Sequence, residues 1–281
     1  MTAVDWAARW RGEEGRHWRS EAARYDEINR VFGEALIDAA DLSPGERVLD
    51  VGCGAGAIAL EAARQVRPGG SVLAVDISPD LVAAARDRAA SAGAEEVELV
   101  EADAAAHPYD EEAFDVLVSR NGLMFFHDPD AALANLVRAL RPGGRIVFTA
   151  PQALDRNPWI MVAGAAAAPH VGIPAGIAPG QPGPLGLADR SLIADLLKRA
   201  GFTAVEIQEL TGSMRIGTNV DDAVAFIRSI PMVRDLLDGA PAANRTAAIE
   251  AVVQALADHA TPDGVVIQGN GAWLVTARRA S

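Results

Sequence analysis

Residues Val48–Gly56 read VLDVGCGAG, and Ala57–Arg64 continue as AIALEAAR. An apolar run, an acid, a glycine alternation and a helical pattern predict a strand, a glycine turn and a helix. Gly52, Gly54 and Gly56 remove side chains that would hold a ligand off the backbone, and glycine tolerates the positive φ of a sharp turn. The helix N-terminus behind the turn presents free N–H groups. A dinucleotide site wants GxGxxG; the spacing here is GxGxG, with Asp50 two residues before the first glycine. A carboxylate so close disfavours a pyrophosphate and suits a ligand carrying an ammonium group. Cys53 lies inside the turn, among the candidate ligand-binding residues, and reads as a small packed hydrophobe.

The pattern repeats downstream. Ser71–Asp76 (SVLAVD) reads as a second strand ending in an acid. Asp76 is a candidate ribose ligand, with Ile77 beside it; the alternative is an N-cap, although Ser78 followed by Pro79 already serves that purpose for the helix Leu81–Ala92. A third strand, Val97–Glu101, leads to Asp103 and Ala104, which suit an adenine edge; alone, Asp103 would read as a solvated loop acid. A fourth strand, Phe114–Ser119, leads to Arg120, and a fifth, Arg145–Ala150, follows a helix over Asp130–Leu140. In open α/β sheets, ligands bind outside the carboxyl ends of the strands.

With these pieces in order, the chain resembles the class I S-adenosylmethionine-dependent methyltransferases, in the broad group of the ubiquinone/menaquinone-biosynthesis enzymes. The matching stretches are VLDVGCGAG, AVDIS, EADA, FDVLVSRNGLMFF and LRPGGRIVF, within roughly residues 20–150. The resemblance implies a Rossmann-like, doubly wound, seven-stranded α/β sheet, mostly parallel with an antiparallel last strand. It implies S-adenosylmethionine as cofactor and S-adenosylhomocysteine as product. The cofactor-binding expectation covers Tyr25, Asp50, Gly52, Cys53, Gly54, Gly56, Asp76, Ile77, Asp103, Ala104 and Arg120, the last through backbone atoms. Tyr25 enters because a Tyr followed by an Asn, here Asn29, occurs before the first strand in ubiquinone-type relatives.

The rest of the chain fits one domain. Residues 1–41 form an N-terminal helical segment, 42–150 the cofactor core, 151–188 a Gly/Pro-rich lid, and 189–281 the remaining sheet, with two cap helices inserted within 211–264. From Gly164 to Leu187, 11 of 24 residues are Gly or Pro, which predicts no regular helix there. Trp6, Trp10 and Trp18 in the N-terminal segment read either as anchors or as a lid. The two insertions read as an acceptor cover or a dimer interface, leaving monomer and homodimer both open.

Composition narrows the partners. The net charge is −13, with one lysine, Lys198, and no basic run. That field repels a phosphate backbone, so the expected acceptor is a small molecule methylated at O, N or C, not a nucleic acid. One cysteine and no ligand spacing among His17, His107, His127, His170 and His259 argue against a metal site. Neither a signal segment nor an 18-residue apolar run is visible, so no membrane contact and a cytoplasmic location are expected. His127, in MFFHDP, is the most tempting base, but nothing in the sequence assigns a catalytic residue. A nicotinamide oxidoreductase is the runner-up of another class; it leaves Asp50, GxGxG and Asp103 unexplained. A cofactor-binding protein that does not methylate is the third reading.

Overall fold

The computed structural model describes residues 4–174 and 178–280. Four short helices come first: α1 (Trp6–Arg11), α2 (Glu13–Ser20), α3 (Ala22–Ile28) and α4 (Arg30–Ala40). The core then alternates β1 (Arg47–Val51), α5 (Ala57–Val66), β2 (Ser71–Asp76), α6 (Pro79–Ala92), β3 (Val97–Glu101), β4 (Phe114–Arg120), α7 (Pro129–Ala139) and β5 (Leu140–Pro151). The remainder is α8 (Pro158–Val171), α9 (Arg190–Arg199), β6 (Phe202–Gly217), α10 (Val220–Ser229), α11 (Pro231–Asp238), α12 (Ala242–Ala257), β7 (Ala260–Thr261) and β8 (Gly264–Arg279).

The sheet order is β3-β2-β1-β4-β5-β8-β6. The first five strands are parallel, and β8 runs antiparallel between β5 and β6. The expected antiparallel last strand is therefore present. The strand count is eight rather than seven, because the two-residue β7 pairs with the start of β8. Parallel pairing puts Val51, Asp76, Glu101, Arg120 and Pro151 on one edge of the sheet. The order reverses between β1 and β4, which opens the crevice of a doubly wound fold there.

The signals that start the helices are local. Ser78 caps α6 by accepting from the Leu81 N–H, with Pro79 at the first turn. Asp128 caps α7 in the same way, accepting from the Ala131 N–H at 2.9 Å. Core strands such as β1 and β4 are apolar on both faces because helices cover both sides.

Three expectations change. The segment 164–187 was expected to hold no regular helix, yet α8 extends through Val171. Ala165–Ala168 are strong helix formers, and Pro169 falls in the last turn, where little helix remains to be disrupted. The Asn244 side chain also donates to the His170 carbonyl at 2.9 Å, tying that end to α12. Of the expected lid, residues 175–177 lie outside the described residues. The insertion 211–264 was expected to contain two helices; it holds three, because Pro231 starts α11 as a separate element. Finally, the reading of Val205–Leu210 and Ala272–Arg278 as short strands gives way to β6 and β8, which each run 16 residues. Their outer halves form a ribbon with its own core: Met214, Ile216, Val265 and Ile267 pack against Val224, Phe226 and Leu256 of the cap helices.

Candidate active site

A cavity of about 820 Å³ opens over the carboxyl edge of the strands. Its floor begins at the glycine turn. The N–H groups of Gly52 and Cys53 both donate to the Val75 carbonyl, at 2.8 and 3.1 Å, and bind the turn to the end of β2. Asp76 continues this link. Its carboxylate accepts from the Gly54 N–H at 2.8 Å and from the Ser78 N–H at 2.9 Å. Gly54 has φ +56°, and a Cβ there would meet nothing within 4 Å. Gly52, at φ +69°, has the tightest fit: its Cβ would come to 3.0 Å from the Gly122 Cα of the loop after β4. Two bare loops thus face each other at the point where the strand order reverses.

Of the expected site residues, Tyr25, Gly52, Gly54, Asp76, Ile77, Asp103, Ala104 and Arg120 all line this cavity. Asp50, Cys53 and Gly56 do not. Gly56 caps α5 at φ +85°, with Ala85 packed behind it. Cys53 is buried, and burial raises its thiol pKa, so it stays a neutral hydrophobe. Asp50 is 1 % exposed, and neither carboxylate oxygen has a hydrogen-bond partner among the described residues. Burial pushes its pKa up to about 7 against the opposing pull of the Arg120 guanidinium; the Ala59 N–H, in the first turn of α5, lowers it slightly without making a normal hydrogen bond. Asp76 is also raised by burial, with the backbone N–H groups of Ser78, Gly54 and Ile77 opposing.

The Arg120 side chain ties the end of β4 to the N-terminal helices. The guanidinium donates to Asp26 of α3 at 3.0 Å and lies against Gly33 of α4. Arg88 of α6 donates to the other Asp26 oxygen at 2.7 Å and to the Ala55 carbonyl of the glycine turn at 3.2 Å. The next residue, Asn121, takes φ +59° and donates to the Asn29 side chain at 3.2 Å. Tyr25 stacks on Trp18, with centroids 3.6 Å apart, and pairs with His17 Nε2 at 2.9 Å.

The first helices roof the cavity. Trp6 and Trp10 both pack on Phe125, with centroids 5.1 Å apart in each case. Gly15 makes this docking possible, because a Cβ there would collide with the Ser78 hydroxyl and the Trp10 carbonyl. The tryptophans are thus both anchors and part of the lining. Met124, Phe125, Phe126 and His127 line the same space, as does Glu14.

Residues 42–181 match the family model described as a methyltransferase domain. Nocamycin O-methyltransferase of Saccharothrix syringae is 34 % identical over 200 residues, which is 66 % of this chain and 68 % of that one. The chain belongs to the class I S-adenosylmethionine-dependent methyltransferase family. An uncharacterized protein of Mycobacterium tuberculosis is 40 % identical over 121 residues, or 43 % of each chain. This methyltransferase-family chain therefore spans less than half the length of that relative in alignment. Among solved structures, the YcgJ protein of Bacillus subtilis has a TM-score of 0.59 at 17 % identity, covering 90 % of this chain and 99 % of that one. At that identity the likeness speaks to the fold.

Within this methyltransferase scaffold, the half of the cavity away from the glycine turn is walled by segments outside the common core. Trp159 and Ile160 come from α8, Met214 from β6, Ile230 and Met232 from the α10–α11 junction, and Ala272 from β8. Sequence reasoning did not find these residues, nor Glu14, because their meeting depends on how the ribbon and the N-terminal helices fold over the edge. No group of three metal-ligating side chains occurs among the described residues. No described helix is long and apolar enough to cross a membrane.

Proposed function

We propose that this chain transfers a methyl group from S-adenosylmethionine to O, N or C of a small organic molecule. The supporting observation is the continuity of the cavity: strand-end loops line part of it, and largely apolar side chains from segments after residue 150 line the rest. The cofactor fits the residues present. Gly54 faces open space at positive φ, where a side chain would fill the cradle. Asp76 and Asp103 offer carboxylates to hydroxyl and amino donors, and Ile77 offers an apolar face to a ring. Arg120 supplies a positive charge beside the buried Asp50 behind the turn. When bound, the cofactor supplies a methyl group already activated on a positively charged sulfur.

The protein's own work is then alignment and exclusion of water. Orientation by itself is worth about 7–11 kcal/mol in favourable cases. The aromatic roof and the Met-rich wall keep the site dry, which strengthens the electrostatic interactions inside it. No residue is assigned as the base. The reading treats the chain as one domain, with residues 42–150 serving the cofactor and with 151–188 and 211–264 selecting the acceptor. The net charge of −13 supports a small-molecule partner over a nucleic acid, and a cytoplasmic setting completes the proposal.

The test has two arms. Calorimetry with S-adenosylhomocysteine should give saturable binding at one site. Incubation of labelled S-adenosylmethionine with a panel of small acceptors should release S-adenosylhomocysteine. Binding without turnover on any acceptor would instead support a cofactor-binding module on the same scaffold, and binding of a nicotinamide dinucleotide in its place would sink the proposal.

A further inference from the structure

We propose that Glu14 is the acceptor-specificity residue of this cavity, where it receives a hydrogen bond from the hydroxyl or amino group of a neutral, largely apolar acceptor. The inference rests on the methyl-transfer reading above. Glu14 is 5 % exposed and lines the cavity from the roof. One oxygen, Oε1, accepts from both Nη2 and Nε of Arg9, at 2.8 and 3.1 Å. The other, Oε2, accepts no hydrogen bond among the described residues. Oε2 is not sealed from water, and at a side chain only 5 % exposed a donor on a ligand can take the water's place in a hydrogen bond to a charged acceptor.

The surroundings define what carries the donor. Trp10 and Trp18 flank Glu14 in sequence and line the same space, facing Trp159, Met214 and Met232. Such walls suit a flat or bulky apolar body. Charge excludes an anion. The cavity-lining Arg120 is already paired with Asp26, and Arg9 is held by Glu14 and Asp235. Burial raises the Glu14 pKa, with Arg9 opposing. A carboxylate in that state is a strong acceptor for a phenol or amine and a poor neighbour for another carboxylate.

Glu14 sits between the two halves of the cavity, since its neighbour Gly15 packs on Ser78 while its ion-pair partner Arg9 reaches the cap. Asp76 and Asp103 already stand at the ends of β2 and β3 for a nucleoside. Glu14 is also tied to the cap: its neighbour Glu13 pairs with Arg234, and Arg9 reaches Asp235 at 3.5 Å, both on α11. Ile230 and Met232, at the start of that helix, line the same cavity.

The test measures binding, so it does not depend on turnover. With saturating S-adenosylhomocysteine, calorimetry compares 2-naphthol, 2-methoxynaphthalene and 2-naphthoate. The parent should prefer 2-naphthol over its methyl ether by about tenfold or more, the factor expected of one hydrogen bond to a charged group, and should reject the naphthoate. In Glu14→Ala that preference should fall to about threefold or less, with binding of the ether unchanged. A purely structural Glu14 would shift both probes together. If the alanine variant does not fold, Glu14→Gln carries the test, and its preference should drop by about threefold or more. The inference is overturned if a folded variant keeps the parent's preference, or if loaded parent protein does not bind 2-naphthol. It is equally overturned if Glu14→Gln loses about tenfold or more in S-adenosylhomocysteine affinity, because that places Glu14 on the cofactor. Failure of the underlying methyl-transfer reading looks different: the parent would then not bind S-adenosylhomocysteine at all.

Discussion

The Asp26 carboxylate accepts from the Arg120 guanidinium at 3.0 Å, joining the N-terminal helices to the carboxyl end of β4. Its second oxygen holds Arg88, which in turn reaches the glycine turn. One carboxylate thus spans the roof, the fourth strand and the glycine turn. Both side chains of the Asp26–Arg120 pair are largely shielded from water, so this pair should outperform a surface ion pair. Asp26→Asn should cost about 1.5–3 kcal/mol in urea unfolding, the range for hydrogen bonds to charged groups. It should also speed proteolysis within residues 4–40 while the far-ultraviolet spectrum stays native. Unchanged proteolysis would show that the aromatic contacts hold the roof without this pair.

Asp76 is a strand-end acid that serves the loop before any ligand arrives. In Asp76→Ala, the Gly54 and Ser78 N–H groups lose their acceptor, and ribose hydroxyls lose theirs. Affinity for S-adenosylhomocysteine should fall by about tenfold or more, since hydrogen bonds to a carboxylate contribute roughly 1.5–3 kcal/mol each. Calorimetry at matched protein folding reads this directly. Equal affinity in the variant would remove Asp76 from the cofactor site.

Asp50 makes stability depend on pH in an unusual direction. Its folded-state pKa of about 7 lies above the unfolded value near 3.8, so the folded chain holds this proton where the unfolded chain has released it. The contribution is therefore fully present below the unfolded value and is lost as pH rises toward 7. The whole effect approaches roughly 4 kcal/mol at its largest, from the size of the shift. Urea midpoints of the ligand-free protein, measured from pH 4 to 8, should show this decline, and Asp50→Asn should flatten it. Parallel pH profiles for parent and variant would mean that Asp50 is already ionised in the folded protein at low pH.

The last strand carries more of the fold than its terminal place suggests. Because β8 lies between β5 and β6, residues 272–278 run against β5 on one side while the same stretch, through Arg279, runs against β6 on the other. Leu274, Val275 and Ala277 are buried in the two cores that flank the sheet. Removing residues 272–281 would strip both neighbours of their ladders and expose side chains worth roughly 1.5–3 kcal/mol each for the larger ones. The truncated chain should show no cooperative thermal transition. A cooperative melt in the truncated protein would show that β6 can pair directly with β5.

Much of the site can be read from the chain because its signals are local. A strand ending in an acid, a glycine alternation and a helical run specify the β1 turn by themselves, and the same grammar places Asp76 and Asp103 at the strand ends. The functional half that was not legible comes from long-range contacts. No spacing rule links Glu14 to Met232, or Arg120 to Asp26. The Gly/Pro count hid α8 because composition averages over a window, whereas Pro169 acts only where it stands. The length of β6 and β8 also escaped, since an alternating ribbon gains its stability from a partner some 60 residues away in the chain.

By itself, then, the sequence determined the α/β class, the strand, glycine turn and helix at β1 and the acids at the strand ends, because backbone conformation and hydrophobic period are encoded within a few neighbouring residues. Only the tertiary structure decided that Asp50 is sealed behind the turn, that tryptophans form a roof, and that Glu14 faces an apolar pocket. Burial and pairing are properties of what packs against a residue, and partners such as Phe125 for the tryptophans and Arg120 for Asp50 lie many residues away in the chain.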